Sequence, residues 1–105
     1  MGQSEVIKIL NKFRKALETA GIYAEKLILF GSYASGNERE DSDIDVVVVS
    51  KGFKNKNYWE RIDILTEAVY RLFAPIEATA MTPEEWENKE SLIADYAQKG
   101  IFITS

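Results

Sequence analysis

The spacing of apolar side chains divides the chain into helices and strands joined by short polar loops. Apolar residues recur every three or four positions over residues 4–20, which predicts an amphipathic helix. A similar stripe predicts a helix over residues 58–73, which Pro75 ends. A last helix is predicted over residues 89–99, stopping at Gly100. The stripes consist of Val6, Leu10, Phe13, Leu17 and Ala20 in the first helix, and of Tyr58, Ile62, Leu65, Val69 and Leu72 in the second.

Three short apolar runs between these helices predict buried strands. They cover residues 26–30, 43–49 and 76–81, and the second is rich in β-branched side chains. Gly31-Ser32 turns the chain from the first strand into a short helix, which Gly36 closes. The expected order is αβαβαβα, an α/β (α+β) fold with a small mixed sheet covered by helices. At 105 residues, the chain is expected to form one domain over 1–105.

Composition narrows the possible chemistry. The chain has no cysteine, which excludes disulfides and thiolate metal sites and favours a cytoplasmic location. It has no histidine, so catalysis must use carboxylates, hydroxyls, cationic side chains or bound hard cations. The net charge of -4 does not favour a broad nucleic-acid-binding surface. No apolar run approaches the ~20 residues of a membrane span, so no membrane association is expected.

Asp43 and Asp45 are the strongest candidates for metal ligands. Two residues apart on a strand, they point to the same face of the sheet. Two like charges at that spacing repel unless a cation lies between them. Mg²⁺ typically binds one or two carboxylates together with substrate phosphates, and an Asp-x-Asp pair suits this need.

Two further features complete the candidate site. Glycine at position 31 allows a phosphate to approach the backbone, and the helix that begins at Ser32 offers amides to an anion. Glu77 is the charged residue of the third strand and lies on the face opposite Ile76, Ala78 and Ala80. If this strand lies beside the aspartate strand, three carboxylates converge and could hold two metal ions. Glu77 could then bind one ion and accept the proton of an incoming hydroxyl.

Gly31-Ser32, ten intervening residues and then Asp43-Ile44-Asp45 resemble the signature of the DNA polymerase beta-like nucleotidyltransferases. The small size makes the chain similar to the minimal nucleotidyltransferases found beside HEPN proteins in bacteria and archaea. This resemblance implies that Gly31 and Ser32 hold a nucleoside triphosphate. It also implies that Asp43, Asp45 and Glu77 bind magnesium and catalyse transfer of a nucleoside monophosphate to a hydroxyl. In some members AMP passes from ATP to a tyrosine of a HEPN ribonuclease toxin, which makes the enzyme an antitoxin.

The chain departs from the family pattern at two places. The third acid is usually aspartate, whereas the matching residue here is Glu77. Many members carry an arginine soon after the Gly-Ser pair, where this chain has Tyr33 and Ser35. The positive charge that neutralises the phosphates must therefore come from elsewhere, and the candidates are Arg39, Lys51 and Lys54.

Two other functions fit the same residues. The chain could be a non-catalytic module that neutralises a HEPN partner by contact, with a site that is idle or only senses nucleotide. It could also be the catalytic fragment of an antibiotic or transfer-RNA nucleotidyltransferase, although such enzymes carry further domains for acceptor recognition. Neither the nucleotide base, the acceptor nor the oligomeric state follows from the sequence.

Overall fold

The computed structural model describes residues 2–89 and 91–104, which form a four-stranded sheet with helices on both faces. Its elements in chain order are α1 (Gln3–Thr19), β1 (Lys26–Phe30), α2 (Ser32–Ser35), β2 (Ile44–Val49), a short 3₁₀ helix (Lys51–Phe53), α3 (Tyr58–Tyr70), β3 (Ile76–Met81), α4 (Pro83–Glu87), α5 (Leu92–Ala97) and β4 (Ile101–Thr104). Within the described residues, no helix is both long and apolar enough to cross a membrane.

The sheet has the order β3-β2-β1-β4. Strand β1 runs antiparallel to both β2 and β4, whereas β2 and β3 are parallel and joined through α3. The mixed α/β fold and the three predicted strands are confirmed, with β2 beginning one residue later than expected. The predicted order αβαβαβα missed β4, because four residues that follow a helix near the end of the chain give only a weak strand pattern.

Two apolar clusters pack on opposite faces of the sheet. Ile44, Val46 and Val48 face the larger cluster, which includes the buried stripe of α1 and residues of α3. Val47 and Val49 face a smaller cluster that contains Trp86 of α4 and two alanines of α5. Both faces of β2 are covered because apolar residues of the strand point to each of them.

Tertiary packing corrects several of the predicted helix positions. Tyr58 is 67% exposed rather than part of the core, and Ala20 lies exposed just after α1. Helix α3 ends at Tyr70, and Phe73 adopts a left-handed conformation with φ 51° that redirects the chain into β3. The predicted last helix over 89–99 is shorter, since the Ser91 side chain caps α5 by accepting from the Ala94 N–H. Glu90, within that prediction, lies outside the described residues.

Candidate functional site

One end of the sheet brings the predicted site residues together. Because β1 is antiparallel to β2, β1 ends where β2 begins, and the parallel strand β3 also begins there. Phe30 lies opposite Asp45, and Asp45 lies opposite Glu77. Adjacent strands are about 4.8 Å apart. The turn at Gly31, the aspartate pair and Glu77 are therefore neighbours across three adjacent strands.

The three acids differ in exposure. Asp45 is half-buried, whereas Asp43, just before β2, and Glu77 are exposed. Burial raises the pKa of the Asp45 carboxyl, and the negative charges of Glu77 and Asp43 raise it further. The ion pairs found among residues 2–89 and 91–104 involve none of these acids. A half-buried carboxylate with two negative neighbours and no such ion pair is an environment that favours a bound cation.

The acids are not already gathered into a metal-binding cluster. Within the part of the chain that the structure describes, no group of three or more acidic side chains is arranged to hold a metal ion. Carboxylate oxygens are nevertheless the ligands that magnesium prefers. Two of the three side chains are exposed and can change rotamer, so the donor set fits magnesium if these side chains reorient around the ion.

The Gly31 turn packs directly against Asp45. Gly31 has φ 75° and ψ -151°, a conformation that is essentially restricted to glycine. A Cβ atom at this position would collide with Oδ2 of Asp45 and lie 3.1 Å from its Cγ. Helix α2 begins at the next residue, and the first amides of a helix have no partner within it. Glycine thus allows the start of α2 and the Asp45 carboxylate to lie side by side.

Two side chains hold this turn in position. Tyr33, which follows Ser32, is only 1% exposed and anchors α2 in the larger core cluster. Its carbonyl oxygen also accepts a hydrogen bond of 3.2 Å from Nε2 of Gln3 on α1. Gly36 ends α2 in the left-handed conformation, as predicted, and its N–H donates to the carbonyl oxygen of Ser32. This anchoring role of Tyr33 was not predicted from the sequence.

The three basic residues that were candidates for neutralising the phosphates lie at different ends of the sheet. Lys51 and Lys54 follow Val49 at the opposite end of β2, so they are far from Gly31. The four steps along the strand from Asp45 to Val49 already span about 13 Å. Arg39 lies in the loop before β2, where its N–H donates to Oγ of Ser42 at 2.8 Å. Of the three candidates, only Arg39 belongs to a segment next to the aspartates.

A cavity that sequence reasoning missed adjoins the Gly31 turn. It has a volume of about 540 Å³ and lies between this turn and the residues of α5 and the bend into β4. Its lining includes Phe30, Gly31, Lys89, Asp95, Tyr96 and Lys99. The lining residues from α5 and the bend could have been placed near Gly31 only if β4 had been predicted. That strand pairs with β1 and so carries the end of α5 towards Gly31.

The fold agrees with the comparisons with known proteins. The family model described as "Nucleotidyltransferase domain" matches residues 10–98. The chain therefore belongs to the nucleotidyltransferase domain family.

Relatives of named function are similar over part of the chain. "Putative protein adenylyltransferase MJ0141" of Methanocaldococcus jannaschii is 46% identical over 50 residues, which are 45% of this chain and 48% of that protein. "Putative protein adenylyltransferase MJ1215" of the same organism is 33% identical over 76 residues, which are 61% of this chain and 87% of that protein. The chain thus spans about half the length of some of the relatives it matches.

A solved structure supports the fold. The crystal structure of a "putative nucleotidyltransferase" from Sulfolobus solfataricus superposes with a TM-score of 0.71 and 19% identity. The superposition covers 95% of this chain and 80% of that one. At this identity, the likeness concerns the fold alone.

Proposed function

We propose that this protein is a magnesium-dependent nucleotidyltransferase that transfers AMP from ATP to a hydroxyl group. The observation that carries this proposal is the position of Asp45 between Glu77 on β3 and the glycine turn after β1. This juxtaposition combines negative charge with a backbone that a phosphate can approach closely. Membership of the nucleotidyltransferase family supports the reaction class.

Each residue has a defined role in this proposal. Asp43, Asp45 and Glu77 would hold one or two magnesium ions. Bound magnesium would neutralise negative charge on the phosphates. The amides at Gly31 and Ser32 bind the triphosphate and orient it, so that the acceptor hydroxyl can approach the α-phosphorus. Glu77 accepts the hydroxyl proton as the new O–P bond forms, and pyrophosphate leaves.

We propose a tyrosine of a partner HEPN toxin as the acceptor, with this chain acting as its antitoxin in the cytoplasm. The names of the relatives, which describe protein adenylyltransferases, support a protein acceptor. The nucleotidyltransferase domain over 1–105 would then recognise the acceptor through the partner's surface. The absence of cysteine suits a reducing compartment.

Labelled ATP tests the reaction directly. The protein is incubated with magnesium, ATP labelled on the α-phosphate and a HEPN protein encoded by a neighbouring gene. We expect label on a tyrosine of the partner, and we expect Asp43→Ala and Asp45→Ala to abolish it. The Lys54→Ala variant is a matched control from the opposite end of the sheet and should transfer label normally. No transfer by the wild type, or transfer equal in the aspartate variants, would contradict the proposal.

A non-catalytic role is the second candidate, because the described acids do not already form a metal cluster and Glu77 replaces the usual aspartate. In this case the chain would mask the partner by contact alone. Suppression of toxicity in cells by a variant with Asp43, Asp45 and Glu77 all neutralised would favour this second function over the first.

A further inference from the structure

The cavity beside Gly31 carries two lysines that the proposed reaction has not used. Lys89 lies between α4 and α5, and Lys99 lies between α5 and β4. Both side chains are exposed, and both residues line the same cavity as Gly31. None of the ion pairs found within the described ranges includes either lysine. Their positive charge is therefore available to an anion in the cavity.

The pairing of β4 with β1 brings Lys99 towards the Gly31 turn. Ile101 lies opposite Leu29 in an antiparallel register. Lys99 and Gly100 immediately precede Ile101, and both line the cavity together with Phe30 and Gly31. Close packing at Gly100 agrees with this, since a Cβ atom there would collide with the Leu29 carbonyl oxygen and lie 2.8 Å from Cγ2 of Ile28.

The acids and the lysines lie on opposite sides of the Gly31 turn. Asp45 and Glu77 belong to β2 and β3, whereas Lys99 precedes β4 on the other side of β1. Strands β2 and β4 are about 10 Å apart, because one strand lies between them. A triphosphate that crosses the turn would thus have metal-binding acids at one end and lysines at the other.

We infer that Lys89 and Lys99 bind the β- and γ-phosphates of the nucleoside triphosphate, and that the α-phosphate lies on the Asp43–Asp45 side. This inference rests on the proposed function and assigns the cations that replace the arginine absent after Gly31-Ser32. Lysine is suited to the role because its ammonium group donates several hydrogen bonds to phosphate oxygens. Asp95 lines the same cavity and opposes the lysines with a negative charge.

The test measures binding of α,β-methylene-ATP with magnesium by isothermal titration calorimetry, since this analogue cannot transfer AMP. Lys89→Gln and Lys99→Gln should each weaken binding about fivefold to tenfold, and the double variant more. Lys99→Arg should retain most of the affinity. Lys54→Gln, which removes an exposed lysine at the far end of the sheet, should change it less than twofold. Asp95→Asn should strengthen binding about twofold to threefold. Circular dichroism melting curves would test whether each variant remains folded.

The possible outcomes distinguish this inference from the proposed function on which it rests. Equal affinities for Lys89→Gln, Lys99→Gln and Lys54→Gln would overturn the role of the lysines. The proposed function would survive that result on two conditions. The wild type must bind the analogue, and the Asp43→Asn/Asp45→Asn double variant must lose both binding and label transfer. A wild type that does not bind the analogue would overturn both. Weaker binding in the two lysine variants with stronger binding in Asp95→Asn supports the inference.

Discussion

Replacing Gly31 by alanine tests whether the turn is shaped to fit the Asp45 carboxylate. The added Cβ atom would collide with Oδ2 of Asp45 and lie 3.1 Å from Cγ and 3.3 Å from Cβ of the same side chain. The backbone at φ 75° and ψ -151° would also be strained in any residue with a Cβ atom. Gly36 provides a matched control, because it has φ 80° but no atom within 4 Å of the added Cβ.

Comparing Gly31 with Gly36 separates the cost of backbone strain from the cost of the collision with Asp45. Left-handed strain alone should make Gly36→Ala cost about 1 kcal/mol of unfolding free energy. The rarer conformation at Gly31 costs about 2 kcal/mol, within a range of roughly 1–3 kcal/mol for such sites. Displacing the Asp45 side chain from its rotamer adds about 1 kcal/mol. Gly31→Ala should therefore destabilise the protein by about 3 kcal/mol, and label transfer should fall at least ~100-fold because the carboxylate moves.

Urea denaturation followed by circular dichroism measures the unfolding free energies, and a double-mutant cycle with Asp45→Ala isolates the contact. Asp45→Ala removes the colliding carboxylate, so Gly31→Ala should cost about 1 kcal/mol less in that background. Additive effects of the two substitutions, together with equal costs for Gly31→Ala and Gly36→Ala, would refute a close fit between the turn and the carboxylate.

Three other predictions concern charge. Asp45→Asn should abolish transfer but raise the melting temperature at neutral pH. Burial and the neighbouring charges of Glu77 and Asp43 raise the pKa of the Asp45 carboxyl, so its ionised form destabilises the folded protein. This gain should disappear below the pKa of an ordinary aspartate, where both folded and unfolded chains are protonated; a gain independent of pH would contradict the electrostatic cause. Ten millimolar magnesium should stabilise the wild type by about 1.4 kcal/mol if the dissociation constant is about 1 mM, and should not stabilise the Asp43→Asn/Asp45→Asn double variant in the same melting assay. The control is magnesium-free buffer with sodium chloride added to equal ionic strength. Glu85→Gln should cost about 0.5–1 kcal/mol at pH 7, because Glu85 pairs with Arg61 at 2.7 Å and caps α4. Burial alone would raise the pKa of Glu85, but hydrogen bonds from Thr82 and Arg61 outweigh it and lower this pKa. That cost should vanish as pH falls through the lowered pKa, and denaturation curves that show the same difference at every pH from neutral to strongly acidic would contradict this explanation.

Local chemistry determined much of the fold in advance. Strands β1 and β3 begin and end at the predicted residues, because each is a short run of apolar or β-branched side chains between clear turn signals. The local sequence also forms a capping box at the start of α4, with the Thr82 side chain accepting from the Glu85 N–H and the Glu85 side chain accepting from the Thr82 N–H. The Gly31 turn also follows from its sequence, since the required backbone conformation excludes other residues.

Long-range pairing decided the rest. The sequence could place Asp43 and Asp45 on one strand, but the parallel pairing of β2 with β3 was needed to bring Glu77 beside Asp45. The fourth strand joined β1 from a distant part of the chain and carried Lys99 towards Gly31, while the same sheet kept Lys51 and Lys54 at its opposite end. Residue types and local spacing set what each segment can do chemically. The neighbours of each segment depend on contacts between residues far apart in the chain, which local periodicity does not record.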